Sequence, residues 1–304
     1  MRILISAAAA ASLLAIVNPA WAQAPGAPRS PPFGFGPGLA SDQLAKLPQE
    51  PGARGDQERH YYFAEAGQEM PYHLYVPPTY DPKVKTPLVV ALHGYFGNQD
   101  YFFSQVSDLK ALCDKYGFIL VAPLGYSVGN WYGAPMDVPG GAPPGAHGKK
   151  SPPPPGLPPG PPDGPRERQL SETDVLNVLA IVRKEYNVDG GRIYLMGHSM
   201  GGAGTWSLAH KHPEIWAAIG PMSGTLSEAD YDYPRLAKIP VIVAVGGQET
   251  GLVASSKAEV SAMQAIGMKT AYVEVPGATH MSMIPVSVPQ VLAFFAEQRK
   301  PPAP

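Results

Sequence analysis

Residues 192–206, which read RIYLMGHSMGGAGTW, decide the fold of this chain. The apolar run 192–196 is typical of a buried strand, and the small and apolar residues from Gly202 onward favour a helix. A Gly-x-Ser-x-Gly motif lies between them, where a strand that turns sharply into a helix needs small residues around the serine that it exposes. We therefore predict that Ser199 is a nucleophile. The alternative is a glycine-rich turn in which Ser199 only caps the helix.

Outward from this turn, short apolar runs alternate with helical patterns. The predicted strands are 59–64, 70–76, 87–92, 118–123, 192–196, 216–222, 241–245 and 271–275, and the predicted helices are 99–115, 171–186, 202–211, 253–266 and 286–297. The first two strands flank Gly67 and should pair antiparallel. The helix at 171–186 should open with a capping box at Ser171. This alternation predicts an α/β fold with a mostly parallel sheet and helices on both faces.

A serine hydroxyl needs a general base, and His280 is the best-placed histidine in the chain. It follows the predicted strand 271–275 and a short turn, so it should lie at the carboxyl edge of the sheet, where sites gather. His210 and His212 end the helix after Ser199, where cations are favourable against the helix dipole. We predict that His280 is the base; an ordinary loop histidine is the alternative.

The base needs a carboxylate that holds its ring in the productive tautomer. In folds with this serine turn, the carboxylate lies between the serine and the histidine in chain order. Glu249 is the only carboxylate at the end of the predicted strand 241–245, and it is our first choice. Asp230 and Asp232 follow the preceding strand and remain the alternative.

Two backbone N–H groups should stabilise the oxyanion that forms when Ser199 attacks. Met200, the residue after the nucleophile, supplies one of them. The loop after strand 87–92 reads HGYFGN at residues 93–98, and its glycines allow a close approach of backbone to substrate. The N–H of Tyr95 is the predicted second donor.

We expect a substrate pocket lined by apolar and aromatic residues. Its predicted lining residues are Phe96, Trp131, His198 and Met281, with Tyr95, Tyr126, Tyr132 and Met283 expected nearby. For each of them the alternative is packing in the core. Because this set has no obvious charge for an ionic substrate, it favours an apolar or aromatic acyl or alkyl ester, or a polyester.

Composition excludes some classes of function. A net charge of -2 and the lack of a long basic run argue against nucleic-acid binding. Cys113 is the only cysteine, so no intramolecular disulfide can form, and its helical context predicts a core residue. The sequence leaves the oligomeric state open.

The N-terminal residues read as a secretory signal peptide over 1–22. A basic start, an apolar run over 3–17 and a small-x-small site at 20–22 follow in order. The apolar run is short for a helix that crosses a membrane, so a stable membrane anchor is not expected. The protein should be exported and be periplasmic or extracellular.

Two segments are rich in proline and glycine. One precedes the predicted catalytic domain at 58–300, and the other lies within it. Residues 23–57 read as an extended leader, and residues 137–168 read as an insertion in a surface loop of that domain. Long loops of this kind are either disordered or functional, so a substrate lid is the alternative for the insertion.

With these residues placed, the chain resembles the α/β-hydrolase serine esterases. It is similar to the group with polyhydroxybutyrate-depolymerase-like, feruloyl-esterase-like and prolyl-oligopeptidase-like hydrolases, over roughly residues 72–296. The resemblance rests on 92–98, 189–202 and 277–280. It implies the α/β-hydrolase fold and ester hydrolysis through an acyl-enzyme, without metal or cofactor.

The chain departs from this family in two places. Relatives commonly carry His-Gly-x-x-Asp after the strand that bears the acid, whereas residues 245–249 read VGGQE. The proline-rich segment 137–168 has no expected counterpart. Two other functions stay open: a serine peptidase of the prolyl-oligopeptidase-like type, and a non-catalytic binding protein on a hydrolase scaffold.

Overall fold

The structure, a computed structural model, describes residues 50–135, 162–226 and 230–300. The predicted signal peptide, residues 23–49 of the predicted leader and residues 137–161 of the predicted insertion lie outside the described residues. The statements below concern the described part of the chain.

Eight strands form one sheet. They are β1 Gly55–Phe63, β2 Gln68–Val76, β3 Thr86–Leu92, β4 Ile119–Pro123, β5 Val188–His198, β6 Ala218–Met222, β7 Val241–Gly246 and β8 Thr270–Val275. Their order across the sheet is β1-β2-β4-β3-β5-β6-β7-β8. β2 pairs antiparallel with both β1 and β4, and all other neighbours are parallel. The predicted antiparallel opening pair and mostly parallel sheet are confirmed.

Six α-helices cover both faces of the sheet. They are α1 Tyr101–Gln105, α2 Leu109–Tyr116, α3 Pro165–Glu185, α4 Met200–Lys211, α5 Thr250–Ala265 and α6 Ile284–Ala296. Neighbouring residues of a strand point to opposite faces, so Leu195 of β5 packs in one core with Trp206 of α4, while Met196 packs in the other with Phe295 of α6. Because strands β3 to β8 are parallel, their carboxyl ends lie at the same edge of the sheet.

Two helix predictions are wrong in their bounds. α3 begins at Pro165, which lies in the first turn with its fixed φ, so the last residues assigned to the insertion are helical. Ser171 lies inside this helix, and its hydroxyl accepts the Tyr132 N–H at 3.1 Å instead of forming a capping box. The predicted helix 99–115 is two helices, because Val106 is extended between α1 and α2. β1 starts at Gly55, before residue 58, at which the catalytic domain is predicted to start.

A buried histidine joins the first two strands to the segment that starts α1. His73 donates from Nε2 to Asp56 at 2.7 Å and from Nδ1 to Asp100 at 2.6 Å. Lys110 lies 2.5 Å from the second oxygen of Asp56, and the His73 ring stacks on Phe103 at a centroid distance of 3.6 Å. Since a carboxylate can only accept, both ring nitrogens carry protons and His73 is an imidazolium.

This cluster makes stability depend on pH. Burial alone would lower the pKa of His73, but hydrogen bonds and charges from Asp100 and Asp56 outweigh it and raise that pKa. The pKa of an unfolded histidine is about 6.5. The stabilisation is therefore complete below that pH and is lost as pH rises through the higher folded pKa. We expect the free energy of unfolding to fall by about 1–3 kcal/mol between pH 6 and pH 9, measured by urea denaturation.

His73→Gln cannot titrate and should remove most of that fall. The matched control is His60→Gln on β1, where the histidine meets Glu69 at 2.9 Å and the His73 cluster stays intact. Equal pH dependence in the wild type and His73→Gln would contradict the assignment.

Candidate active site

Ser199 occupies a strained turn between β5 and α4. Its φ of 57° and ψ of −114° lie in a region that side-chain-bearing residues rarely adopt. The turn is held because the Ser199 N–H donates to Met222 at 2.8 Å and its carbonyl accepts the Ala203 N–H at 3.0 Å. The sharp strand-to-helix turn predicted from the sequence is present.

Glycines let this turn pack against its neighbours. A Cβ on Gly197 would lie 2.1 Å from the carbonyl oxygen of Gly201, and a Cβ on Gly201 would lie 2.0 Å from that of Leu92. Both contacts are with backbone, which cannot rotate away. The turn therefore sits directly on the end of β3.

Gly201→Ala should cost about 3 kcal/mol or more in the free energy of unfolding, because the turn must move away from β3. The matched control is Gly251→Ala in the first turn of α5, where a new Cβ meets nothing within 4 Å. That change should be neutral or stabilising by up to about 1 kcal/mol. Thermal and urea unfolding measure both variants, and a Gly201→Ala protein as stable as the wild type would refute the packing argument.

A carboxylate and a histidine meet at the ends of the last two strands. His280 follows β8 and donates from Nδ1 to Oε1 of Glu249, which follows β7, at 2.5 Å. The Glu249 side chain is 10% exposed and that of His280 is 41% exposed. The pair thus presents the imidazole to solvent and keeps the carboxylate beneath it.

The second oxygen of Glu249 is also held. Oε2 accepts from the Ser223 hydroxyl at 2.6 Å and from the Gly246 N–H at 2.8 Å. Burial alone would raise the pKa of Glu249, but the hydrogen bond and charge of His280, with these two donors, lower it. Glu249 is therefore ionised at neutral pH.

Sequence reasoning missed Ser223. Its backbone is left-handed, with φ of 44°, and its N–H donates to Ala244 of β7 at 2.8 Å. That strained conformation directs the hydroxyl to Glu249. The only available signal was its position directly after the apolar run 216–222.

The alternative carboxylates lie elsewhere. Asp232 accepts the Arg235 N–H at 3.3 Å and donates its own N–H to Nε2 of His210 at 3.0 Å. His210 is near the end of α4, and burial lowers its pKa while the charges of Asp232 and Asp230 oppose that change. The structure thus groups both aspartates with His210 and brings Glu249 to His280.

His198 was predicted to line the substrate pocket, and that prediction is wrong. Its side chain is fully buried. Nδ1 accepts from the Tyr101 hydroxyl at 2.8 Å and Nε2 donates to the His280 carbonyl at 2.8 Å. A ring without exposed surface, with both nitrogens bonded, cannot line an open pocket. The direction of its side chain is set by the face of β5 on which it falls.

Three other residues expected near the pocket pack against the hydrophobic cores, two of them fully buried and one partly buried. Tyr132 and Met283 are fully buried in the two cores. Tyr126 is partly buried and packs edge-on against Phe63 at a centroid distance of 6.4 Å, in a small cluster with Met70 and Leu170. For these residues the core alternative holds.

The remaining predicted pocket residues lie near the carboxyl edge. The rings of Tyr95 and Phe96 are 4.4 Å apart, and Trp131 is 6.2 Å from Tyr95. Tyr95 is 43% exposed, Trp131 is partly exposed and Phe96 is buried. Met281, partly exposed, directly follows His280, with its sulfur 3.8 Å from the Tyr101 hydroxyl. We call Tyr95, Phe96 and Trp131 the aromatic cluster.

The loop that carries Tyr95 lies against the residue before Ser199. A Cβ on Gly94 would be 3.5 Å from the carbonyl oxygen of His198. The loop is shaped by hydrogen bonds from Phe96 to Val128 and from Gly97 to Gly94, both 2.8 Å. Within the described part of the chain, no backbone carbonyl accepts the N–H of Tyr95 or Met200.

Residues 50–135, 162–226 and 230–300 contain no group of three or more histidine, cysteine, aspartate or glutamate side chains placed to hold a metal ion. None of the helices formed by these residues is both long and apolar enough to cross a membrane.

The parallel sheet, with its strained serine after β5 and its carboxylate and histidine after β7 and β8, defines an α/β-hydrolase. The model of the putative esterase family matches residues 64–236, more than half of the chain. This chain belongs to that family.

Three comparisons show what the chain is similar to. It is 30% identical to feruloyl esterase B of Neurospora crassa over 143 residues, which cover 46% of this chain and 39% of that protein. It is 35% identical to the bis(hydroxyethyl) terephthalate hydrolase of Streptomyces coelicolor over 118 residues, 38% of this chain and 36% of that protein. The matches thus span about two fifths of either relative. The solved structure of a thermostable esterase gives a TM-score of 0.55 at 27% identity, and covers 81% of this chain and 63% of that one.

Proposed function

We propose that this protein is a carboxylic ester hydrolase that acts through an acyl-enzyme. Ser199 is the nucleophile, His280 the general base and Glu249 the acid of the triad. The observation that carries the proposal is the 2.5 Å pair of Glu249 and His280 at the same sheet edge as the strained Ser199. Family membership supports the same reaction class.

The proposed reaction starts from the pairing of Glu249 with His280. Glu249 holds the proton of His280 on Nδ1, so Nε2 has a free lone pair to take the proton of the Ser199 hydroxyl. Ser199 attacks the ester carbonyl, and the N–H groups of Tyr95 and Met200 stabilise the oxyanion. His280 then protonates the departing alcohol, and a water molecule activated by His280 hydrolyses the acyl-enzyme.

We propose that the substrate is the ester of an aromatic or apolar acid, as a small molecule or in a polymer. The aromatic cluster offers partly exposed ring surface without a charged group of its own. Two relatives are named for hydrolysis of ferulate and terephthalate esters, both of aromatic acids.

Parallel assays with methyl ferulate, p-nitrophenyl butyrate and aminoacyl anilides test the reaction class. Ester turnover should far exceed amide turnover, and a fluorophosphonate should label the protein. Amide turnover above ester turnover would support a peptidase, and an unreactive protein would support a binding function.

Trp131→Ala tests the substrate class. We expect kcat/KM for methyl ferulate to fall about tenfold, since an aromatic contact is lost, while p-nitrophenyl acetate changes less than about twofold. The control is Tyr62→Ala on β1, which also removes an exposed aromatic ring. An equal loss of kcat/KM for both substrates would show that Trp131 does not recognise the acyl group.

We also propose export, with cleavage after residue 22. The mature protein recovered outside the cytoplasm should begin at Gln23 by N-terminal sequencing. Accumulation of the uncleaved chain in the cytoplasm would oppose export.

A further inference from the structure

A buried chain of hydrogen bonds runs from α1 to the loop that carries His280. The Tyr101 hydroxyl lies 2.8 Å from Nδ1 of His198, and Nε2 of His198 lies 2.8 Å from the His280 carbonyl oxygen. Tyr101 and His198 are both buried. The proposed reaction does not use either side chain.

Only one arrangement of protons satisfies this chain. The His280 carbonyl can only accept, so Nε2 of His198 must carry a proton. Burial, together with the nearby charge of His280, lowers the pKa of His198 well below its usual range, so the ring is neutral. Nδ1 therefore holds a lone pair and accepts from the Tyr101 hydroxyl. The His280 carbonyl thus fixes the tautomer of His198, and the Tyr101 hydroxyl completes the chain as the donor to Nδ1.

The same two side chains touch the other parts of the site. A Cβ on Gly94, in the loop of Tyr95, would lie 3.2 Å from the Tyr101 hydroxyl and 3.3 Å from Nδ1 of His198. The rings of His198 and His280 are 4.5 Å apart. His198 also directly precedes Ser199. The buried pair of Tyr101 and His198 therefore lies beside the three parts of the chain that the reaction needs, which are Ser199, the loop of Tyr95 and the loop of His280.

We propose that Tyr101 and His198 are positioning residues that hold the main chain of His280 and the Tyr95 loop in register with Ser199. This inference rests on the proposed function. Because His198 stays neutral, it places no like charge beside His280 when His280 becomes an imidazolium. Displacement of a reacting group by about 1 Å can cost about 100-fold in rate.

Tyr101→Phe removes one hydroxyl from this chain and retains the ring. We expect kcat for p-nitrophenyl butyrate to fall about 10- to 100-fold, with KM within about twofold of the wild type. The matched control is Tyr194→Phe, which removes another buried hydroxyl, one that donates to the Gln298 carbonyl at 2.6 Å, just after the end of α6. That variant should lose stability and keep kcat per folded molecule.

His198 variants separate positioning from simple packing. A glutamine offers an N–H donor and a carbonyl acceptor in similar positions, so His198→Gln should keep kcat within about tenfold, whereas His198→Leu should lose about 100-fold. Since both residues act through one chain, the double variant Tyr101→Phe/His198→Leu should be no slower than His198→Leu alone. Losses that multiply, or that follow the melting temperature, would overturn the inference.

Fluorophosphonate labelling of the wild type keeps the two proposals distinguishable. An active, labelled wild type with full kcat in Tyr101→Phe overturns the positioning role alone. A wild type that is neither labelled nor active overturns the proposed function and the positioning role with it.

Discussion

Ser199→Ala should lower kcat for p-nitrophenyl butyrate by about 10⁴-fold or more, because no acyl-enzyme can form without the hydroxyl oxygen. The backbone donors for the oxyanion remain in place, so a small residual rate above that of water is expected. The alanine fits the turn between β5 and α4 no worse than serine does. The variant should therefore fold normally.

Initial rates and intact-mass measurement of the fluorophosphonate adduct check this result together. The wild type should gain one adduct and Ser199→Ala none. The control is Ser255→Ala on α5, whose hydroxyl donates to Gly251 at 3.2 Å away from the candidate site. If Ser199→Ala kept full esterase activity, the nucleophile would be another residue.

Glu249→Gln should lower kcat by about 10³- to 10⁴-fold through a change of tautomer in His280. Oε2 of Glu249 accepts the Gly246 N–H at 2.8 Å, and that N–H cannot accept in return. The glutamine must place its carbonyl oxygen there, so its NH₂ group faces His280. Nδ1 of His280 then becomes the acceptor, and the ring proton moves to Nε2, where it blocks proton transfer from Ser199.

The same assay with Asp232→Asn gives the matched control. Asp232 only begins the short 3₁₀ turn Tyr233–Leu236, so its loss should leave kcat within about twofold. Near-full activity in Glu249→Gln, with a large loss in Asp232→Asn, would show that Asp232 is the acid of the triad.

The acid of the proposed triad could be predicted from the sequence only in part. Chain order and strand ends restricted the acid to Glu249, Asp230 or Asp232, and the first choice is the residue that meets His280 in the structure. The departure from the family pattern is accommodated locally. Glu249 donates its N–H to Gly246 at 2.9 Å, and this tight turn brings the longer side chain back to β7.

Two of the wrong predictions, those for His198 and Ser171, concern contacts between segments far apart in the chain. His198 lies next to Ser199 in the sequence and was therefore predicted to line the pocket. In the structure its hydrogen-bond partners lie on α1 and on the loop after β8. Ser171 has the spacing of a capping box, yet Pro165 starts the helix and Ser171 binds the backbone of Tyr132. Local patterns contain no information about these partners.

The sequence by itself determined the class of fold, the turn at Ser199 and the strand ends at which the candidate site assembles. Those features follow from periodicity and from the small residues that a sharp turn requires, which act over a few neighbouring positions. Only the tertiary structure decided that Glu249 rather than Asp232 meets His280, that Ser223 holds Glu249, and that His198 supports the site from within. Each of these depends on which side chains the packed strands and helices bring within hydrogen-bonding distance.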